Sequence, residues 1–308
     1  MSVLITGGYG FIGSWVARQV ADQGEDVIIY DIAEQTYDYL QEVADRITFV
    51  QGSVLDYPHL AEAVRQAPQL SGIVHSVALF GGDIADNPHH SMQVNALGTL
   101  NVLEAARQVG GVRLVYVSSG AVYGQAPGPL REDMPSRPSD PYGATKVASE
   151  EFCFQYAQAF GVDALAARLF FVYGPPERPG PDAGFNTTLF APLAGVEKAQ
   201  WPRGMDQQGD WTYVEDAARG IILMLRAQGL TERAFNIATG IFHPVGDIMA
   251  AVERHAPGAA QFDIGPGANL QRGAPLEIGR ARAQLGYEPQ FDLDEGVGRY
   301  ATWLARQE

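Results

Sequence analysis

A single cysteine, Cys153, leaves this chain of 308 residues no partner for an internal disulfide, which sets it apart from cross-linked secreted scaffolds. The flanking Phe152, Phe154 and Tyr156 mark that thiol as a buried helical packing residue rather than a nucleophile. No apolar run approaches the roughly 20 residues that a membrane-crossing helix needs. The N-terminus has no basic segment and leads straight into a strand-like run, so no secretory signal is expected and the chain is read as cytoplasmic. Cations are scarce: 21 Lys and Arg stand against 36 Asp and Glu, a formal net charge of -15. Such a field repels nucleic acid and anionic membrane, which leaves a small molecule as the expected partner. His89, His90 and His255 lack metal-ligand spacing and no His-Glu-x-x-His run occurs, so no metal is expected. Glycine is plentiful, with 35 residues beside 19 prolines, and it is spread without a period, as turns and close backbone approaches require.

The first half alternates short β-rich runs with helical patterns. Val3–Ile5, Val27–Tyr30, Ile47–Val50, Ile73–His75 and Leu114–Val117 read as strands, the second wholly apolar as in a parallel sheet covered on both faces. Helices are expected after the first strand through Trp15 and Val20, over Ser91–Val109 and over Pro141–Phe160, followed by a strand from Ala164 to Phe171. A helix over Ala217–Arg226 and a strand at Phe235–Ile237 look like late returns to the sheet. This order predicts an α/β fold: a doubly wound parallel sheet of Rossmann type with a smaller C-terminal substrate-binding lobe. The expected division assigns 1–174 and 210–238 to the dinucleotide-binding domain, and 175–209 and 239–308 to the lobe.

Gly7, Gly10 and Gly13 fall between the first strand and the first helix, in Gly7-Gly8-Tyr9-Gly10-Phe11-Ile12-Gly13. That spacing permits a tight turn, brings backbone N–H groups against a pyrophosphate and packs helix on strand. Asp31 ends the second strand, 18 residues after Gly13. A carboxylate there accepts from the adenosine ribose hydroxyls and repels a 2′-phosphate, and the next cation is Arg46, so NAD rather than NADP is expected. Tyr142 and Lys146 stand four apart on a predicted helix and therefore on one face. An ammonium beside a phenol favours the phenolate and suits Tyr142 to acid–base work near neutral pH. Ser118 and Ser119 end the fifth strand, where open α/β sheets place their ligands. His75, on a strand within the core pattern, reads as a satisfied interior histidine, and Trp201, Trp211 and Trp303 read as packing residues.

These motifs, together with Asn95 in a Val-Asn-Ala-Leu-Gly-Thr run, Val122-Tyr123-Gly124, Arg168 ahead of Tyr173-Gly174-Pro175, Asp210-Trp211-Thr212-Tyr213-Val214-Glu215-Asp216 and Phe235-Asn236-Ile237, resemble the extended short-chain dehydrogenases, the NAD-dependent epimerase/dehydratase family. The resemblance runs over nearly the whole chain. It implies Tyr142 as catalytic base, Lys146 as ribose binder and modulator of the tyrosine, and Ser119 as the substrate-orienting hydroxyl, with Ser118 the alternative register. It places NAD against Gly7, Tyr9, Gly10, Phe11, Ile12, Gly13, Asp31, Ile32, Ser53, Val54, Val77, Ala78, Asn95, Val117, Tyr142, Lys146, Phe170 and Val172. It places a sugar-type substrate against Phe80, Ser119, Gly120, Tyr142, Phe171, Asn186 and Arg272, and it implies a homodimer built on the Ser91–Val109 and Pro141–Phe160 helices.

Departures from the family pattern bear on the reaction. Gly120 and Ala121 stand where sugar-nucleotide 4,6-dehydratases carry an acidic pair, so dehydration is not expected. Phe171 replaces an asparagine found near diphosphate and sugar, Gly209 replaces a phosphate-contacting arginine, and Ser53 replaces an aspartate near the adenine, while Arg272 is retained. Two reactions remain open on these residues. One is epimerisation of a nucleotide sugar; the other is net oxidation or reduction of a sugar, sugar acid, lactone or hydroxy compound without a nucleotide.

Overall fold

The structure, a computed structural model, describes residues 1–179, 184–196, 198–258, 261–270 and 274–307. Seven parallel strands form the main sheet: β1 (Ser2–Thr6), β2 (Asp26–Asp31), β3 (Ile47–Gln51), β4 (Leu70–His75), β5 (Arg113–Ser119), β6 (Asp163–Leu169) and β7 (Ala234–Ile237). Their order is β7-β6-β5-β4-β1-β2-β3, so the winding reverses between β1 and β4. Alternate side chains serve opposite faces. Val3 and Ile5 pack with α1 (Phe11–Asp22) and α5 (Val214–Arg226). Leu4 and Ile28 join the cluster under α2 (Tyr57–Gln66), α3 (Gly98–Val109) and α4 (Pro141–Phe160).

The α4 helix begins and ends where its sequence dictates. Asp140 accepts from the Gly143 N–H at 2.7 Å, Pro141 takes a first-turn position that needs no N–H, and Gly161 closes the helix in the left-handed region at φ 70°. Two expected elements differ. The strand ends at Leu169 rather than Phe171; the chain turns there, and Val172–Tyr173 pairs instead with Thr212–Tyr213. The Ser91–Val109 helix is interrupted by a π-helical turn over Gln93–Leu97, whose Asn95 carbonyl accepts from Thr99 Oγ1 at 2.6 Å and Ser149 Oγ at 2.9 Å.

A third apolar cluster gathers Phe170, Phe171, Phe190, Trp211, Val245, Ile248 and Tyr300 under the C-terminal part of the chain. Asp210 joins its pieces: fully buried, it accepts from the Thr239 and Gly240 N–H groups, both at 2.9 Å, and from Thr239 Oγ1. Asp216 likewise accepts from the N–H groups of Gln290 and Phe291. Among the described residues, no helix is long and apolar enough to cross a membrane, and no group of His, Cys, Asp and Glu could hold a metal. Cys153 is buried, and burial raises its thiol far above the ordinary value.

Candidate active site

One cleft of about 1390 Å³ runs along the C-terminal ends of the strands, across the point where the strand order reverses. That exceeds the roughly 300–1,000 Å³ of an ordinary single-ligand pocket and leaves room for a dinucleotide beside a second ligand.

At one end the turn after β1 makes a phosphate cradle. Gly7 sits at φ 71°, and a Cβ on Gly13 would lie 2.1 Å from the Gly7 carbonyl oxygen, so the helix approaches the turn more closely than any side chain allows. No side chain caps α1 and no acid occupies its first turn, which leaves its N-terminal N–H groups and positive dipole end facing the cleft. Asp31 is oriented by the turn itself: Oδ2 accepts from the Tyr9 N–H at 2.9 Å and Oδ1 from the Ile32 N–H at 2.7 Å. Arg46 lies at the far end of β2, 3.6 Å from Asp26, and offers Asp31 no counter-charge. The cradle and the carboxylate together fit a dinucleotide with a free adenosine ribose.

Midway along the cleft, α4 presents Tyr142 and Lys146. The Lys146 ammonium donates to the Val117 carbonyl at 2.7 Å and lies 4.8 Å from the centre of the Tyr116 ring and 5.6 Å from that of Tyr142. Burial pushes its pKa down to about 7, an effect that the nearby Glu150 carboxylate opposes. Ser119 lines the same stretch and its Oγ accepts from the Ala121 N–H at 3.1 Å. Ser118 donates to Glu150 at 2.5 Å and is tied into a buried ion pair. Among the described residues, Ser119 Oγ acts as an acceptor, whereas the Ser118 hydroxyl proton is committed to Glu150. Phe80, more than half exposed, packs edge-on against Tyr142 at 6.2 Å between ring centres. His75 is buried between Thr6 Oγ1 at 2.6 Å and Thr99 Oγ1 at 3.0 Å; burial, reinforced by Lys146, pushes its pKa down to about 3 and keeps it neutral.

Most of the residues expected at the cofactor line this cleft, including Phe11, Ile12, Ser53, Val54, Val77, Ala78, Val117, Phe170 and Val172. Asn95, expected at the cofactor, and Gly120, expected at the substrate, do not. Asn95 is buried and its side chain is committed within the protein: Oδ1 accepts from the Leu79 N–H at 2.7 Å, and Nδ2 donates to the Leu79 carbonyl at 2.8 Å and to Thr145 Oγ1 at 3.1 Å. It braces the Leu79–Phe80 segment against α4. Gly120 is buried under Phe170, whose ring lies 2.6 Å from where its Cβ would be. Arg272 lies outside the described residues.

The substrate end carries Phe171, Asn186, Thr187, Glu177, Trp201 and Asn269. Phe171 stacks on Trp211 with ring centres 5.0 Å apart, and a Cβ on Gly209 would lie 2.1 Å from the Phe171 ring. The two departures from the family pattern are thus one structural unit, because the ring fills the space that a side chain at 209 would need. Glu177, Trp201 and Asn269 were not expected from the sequence. The Glu177 carboxyl accepts from Thr187 Oγ1, and burial raises its pKa. Trp201 Nε1 donates to Asn269 Oδ1 at 3.0 Å. The Pro175-Pro176 pair just before Glu177 was the one local signal that the chain folds back here.

A glycine-rich turn that fits a dinucleotide, a carboxylate at the end of β2 and a Tyr–Lys pair on one helix fit an oxidoreductase-type site. Residues 3–238 match the NAD dependent epimerase/dehydratase family, and the chain belongs to that family. It is 31% identical to the UDP-glucose 4-epimerase of Mycolicibacterium smegmatis, with 97% of each chain aligned. The Thermus thermophilus UDP-glucose 4-epimerase, crystallised with NAD, superposes with a TM-score of 0.85 at 29% identity over 99% of both chains. An epimerase from Methanothermobacter thermautotrophicus superposes with a TM-score of 0.89 at 30% identity, covering 99% of this chain and 92% of that one. The chain is accordingly an NAD-dependent enzyme of this family.

Proposed function

We propose that the protein epimerises a nucleotide sugar, of the UDP-hexose kind on which the 4-epimerases similar to it act. The observation that carries this reading is the site itself: Tyr142 and Lys146 beside Ser119, at the middle of a cleft large enough for dinucleotide and nucleotide sugar together. NAD held by the turn after β1, Asp31 and Lys146 would supply a hydride acceptor and donor beside the sugar. Tyr142 takes the proton of the sugar hydroxyl and later returns it. The Lys146 ammonium favours the phenolate form of Tyr142 and holds the ribose, and the Ser119 hydroxyl orients the reacting oxygen. Gly120 and Ala121 offer no acid–base group for eliminating water.

Residues 1–174 and 210–238 serve as the cofactor domain in this reading, and 175–209 with 239–308 as the substrate lobe. Asn186 and Phe80 complete the sugar-nucleotide pocket. Met92, Leu97 and Phe160 leave large exposed apolar groups on or beside the α3 and α4 surface, which supports a homodimer through these helices.

The apolar Phe171–Trp211 wall favours a second reading, net oxidation or reduction of a sugar-type compound without a nucleotide. Thermal unfolding with NAD, with and without UDP, dTDP, GDP or CDP, separates the two. A nucleotide at 100 times its dissociation constant stabilises the fold by about 2.7 kcal/mol. Epimerisation predicts a shift with one of them; no shift with any, while NAD stabilises, favours the second reading.

A further inference from the structure

Behind the Tyr142–Lys146 pair lies a buried charged cluster that meets the cleft at Ser118. Glu150 follows Lys146 by one turn of α4, and its carboxylate receives Arg168 of β6, Nη2 to Oε2 at 2.7 Å and Nε to Oε1 at 3.0 Å. Both side chains are at most 5% exposed. Ser118 donates to the same carboxylate at 2.5 Å, and the register of β5 on β6 sets Ser118 directly opposite Arg168. Arg168 Nη1 also donates to the Tyr123 hydroxyl at 2.8 Å, which in turn donates to Asn236 Oδ1 at 2.7 Å. The cluster therefore bolts α4 to β5 at Ser118, between Val117, which receives the Lys146 ammonium, and Ser119.

A buried pair of this kind does not justify itself by stability, since apolar residues of the same volume commonly do as well. Its position suggests another role. We propose that Glu150 is a positioning residue that holds Lys146 in its ammonium form and sets the height of α4 on β5. The proposal rests on the assignment of Lys146 and Tyr142 as the working pair.

The other groups facing Lys146 cannot take this role. The Tyr116 ring comes from β5 and the Tyr142 ring from α4, the Cys153 thiol is buried, and His75 of β4 is held neutral. Glu150 is the carboxylate that opposes the loss of the lysine's proton on burial, and Arg168 pairs with it.

The test uses the NAD-loaded enzyme and the dependence of turnover on pH. In Glu150→Gln the amide keeps an acceptor for Ser118 and removes the charge. Its alkaline limb should move to lower pH by about one unit, so that turnover drops about tenfold on the alkaline side and much less on the acid side. Glu150→Asp should fall between this variant and the parent. Where Glu150→Gln does not fold with Arg168 left unpaired, the double substitution Glu150→Gln and Arg168→Gln removes both charges, and a displacement in the same direction but smaller is expected, because the lost arginine charge offsets part of the effect. A loss of activity equal at all pH values, with the limb unmoved in every folded variant, overturns the proposal and makes the cluster merely structural. Tyr142→Phe separates the two levels. If it is inactive while the Glu150 variants keep the parental limb, the positioning role fails and the working pair stands. If it is fully active, the working pair itself is wrong.

Discussion

In the proposed reading Tyr142 and Lys146 carry the proton chemistry and Asp31 holds the cofactor, and each has a separable signature. Tyr142→Phe keeps the ring that packs against Phe80 but removes the transferable proton, so turnover should fall by about 10²–10⁴-fold while NAD affinity is retained. Rate measurement beside a cofactor titration checks both halves. For Lys146 the sign follows from its environment. Burial lowers its pKa to about 7, so in the cofactor-free protein the ammonium persists below that value and is lost as pH rises through it. The lysine-dependent part of the rate should decline through the same window, and Lys146→Met should flatten that limb as well as slow turnover. Asp31→Ala should weaken NAD by about tenfold or more, the cost of hydrogen bonds to a charged acceptor, and narrow the preference over NADP, as equilibrium binding of the two would show. These residues were legible because their chemistry is local: glycines at fixed spacing after a strand, a carboxylate at a strand end, a tyrosine and lysine one helical turn apart. The buried place of Asn95, off the lining of the cleft, was not legible for the converse reason. Its motif is recognisable, but its partners, Leu79 and Thr145, come from segments that only the folded chain brings together.

Among the elements, the strand–turn–strand crossing at Phe171 and Gly209 sets the character of the substrate end. Sequence reading found both residues as separate departures; the structure makes them one contact, with no room at 209 for a Cβ beneath the Phe171 ring. Gly209→Ala alone should destabilise the protein by about 1–3 kcal/mol through overpacking. Phe171→Ala alone should cost about 3–5 kcal/mol, because it opens a cavity against Trp211. In the double variant the alanine at 209 enters the vacated space, so the two costs should sum to less by about 0.5–3 kcal/mol. Urea unfolding of the four proteins measures this, and strict additivity would contradict the contact. The elements most visible in sequence were those with a strong period and clear ends, such as α4 with Asp140, Pro141 and Gly161. The strand over Lys198–Trp201, which pairs in parallel with Gln261–Ile264, escaped notice because it is short and its partner lies far along the chain. The π-turn at Gln93–Leu97 escaped because its cause is hydrogen bonding from Ser149 and Thr99 rather than any local breaker.

For the whole molecule, the doubly wound sheet places the turn after β1, the end of β5 and the start of α4 around one cleft, which is why a fold read from strand order also located the site. The lobe beyond was legible only as a region: Glu177, Trp201 and Asn269 reach the cleft through packing that no spacing announces. Exposed Met92 and Leu97 beside the start of α3 lead to an assembly-level prediction. Light scattering should give twice the chain mass, and Leu97→Glu should shift the protein toward monomer with its secondary structure intact. The central claim is that the Tyr142 site carries a hydride out and back on one bound NAD. The most direct test is proton NMR of a UDP-hexose incubated with the NAD-loaded protein and, in parallel, with Tyr142→Phe. The account predicts growth of the epimer's anomeric signal to a fixed ratio without net NADH, and no epimer from the variant. Stoichiometric NADH with an oxidised product, or equal conversion by Tyr142→Phe, would contradict it.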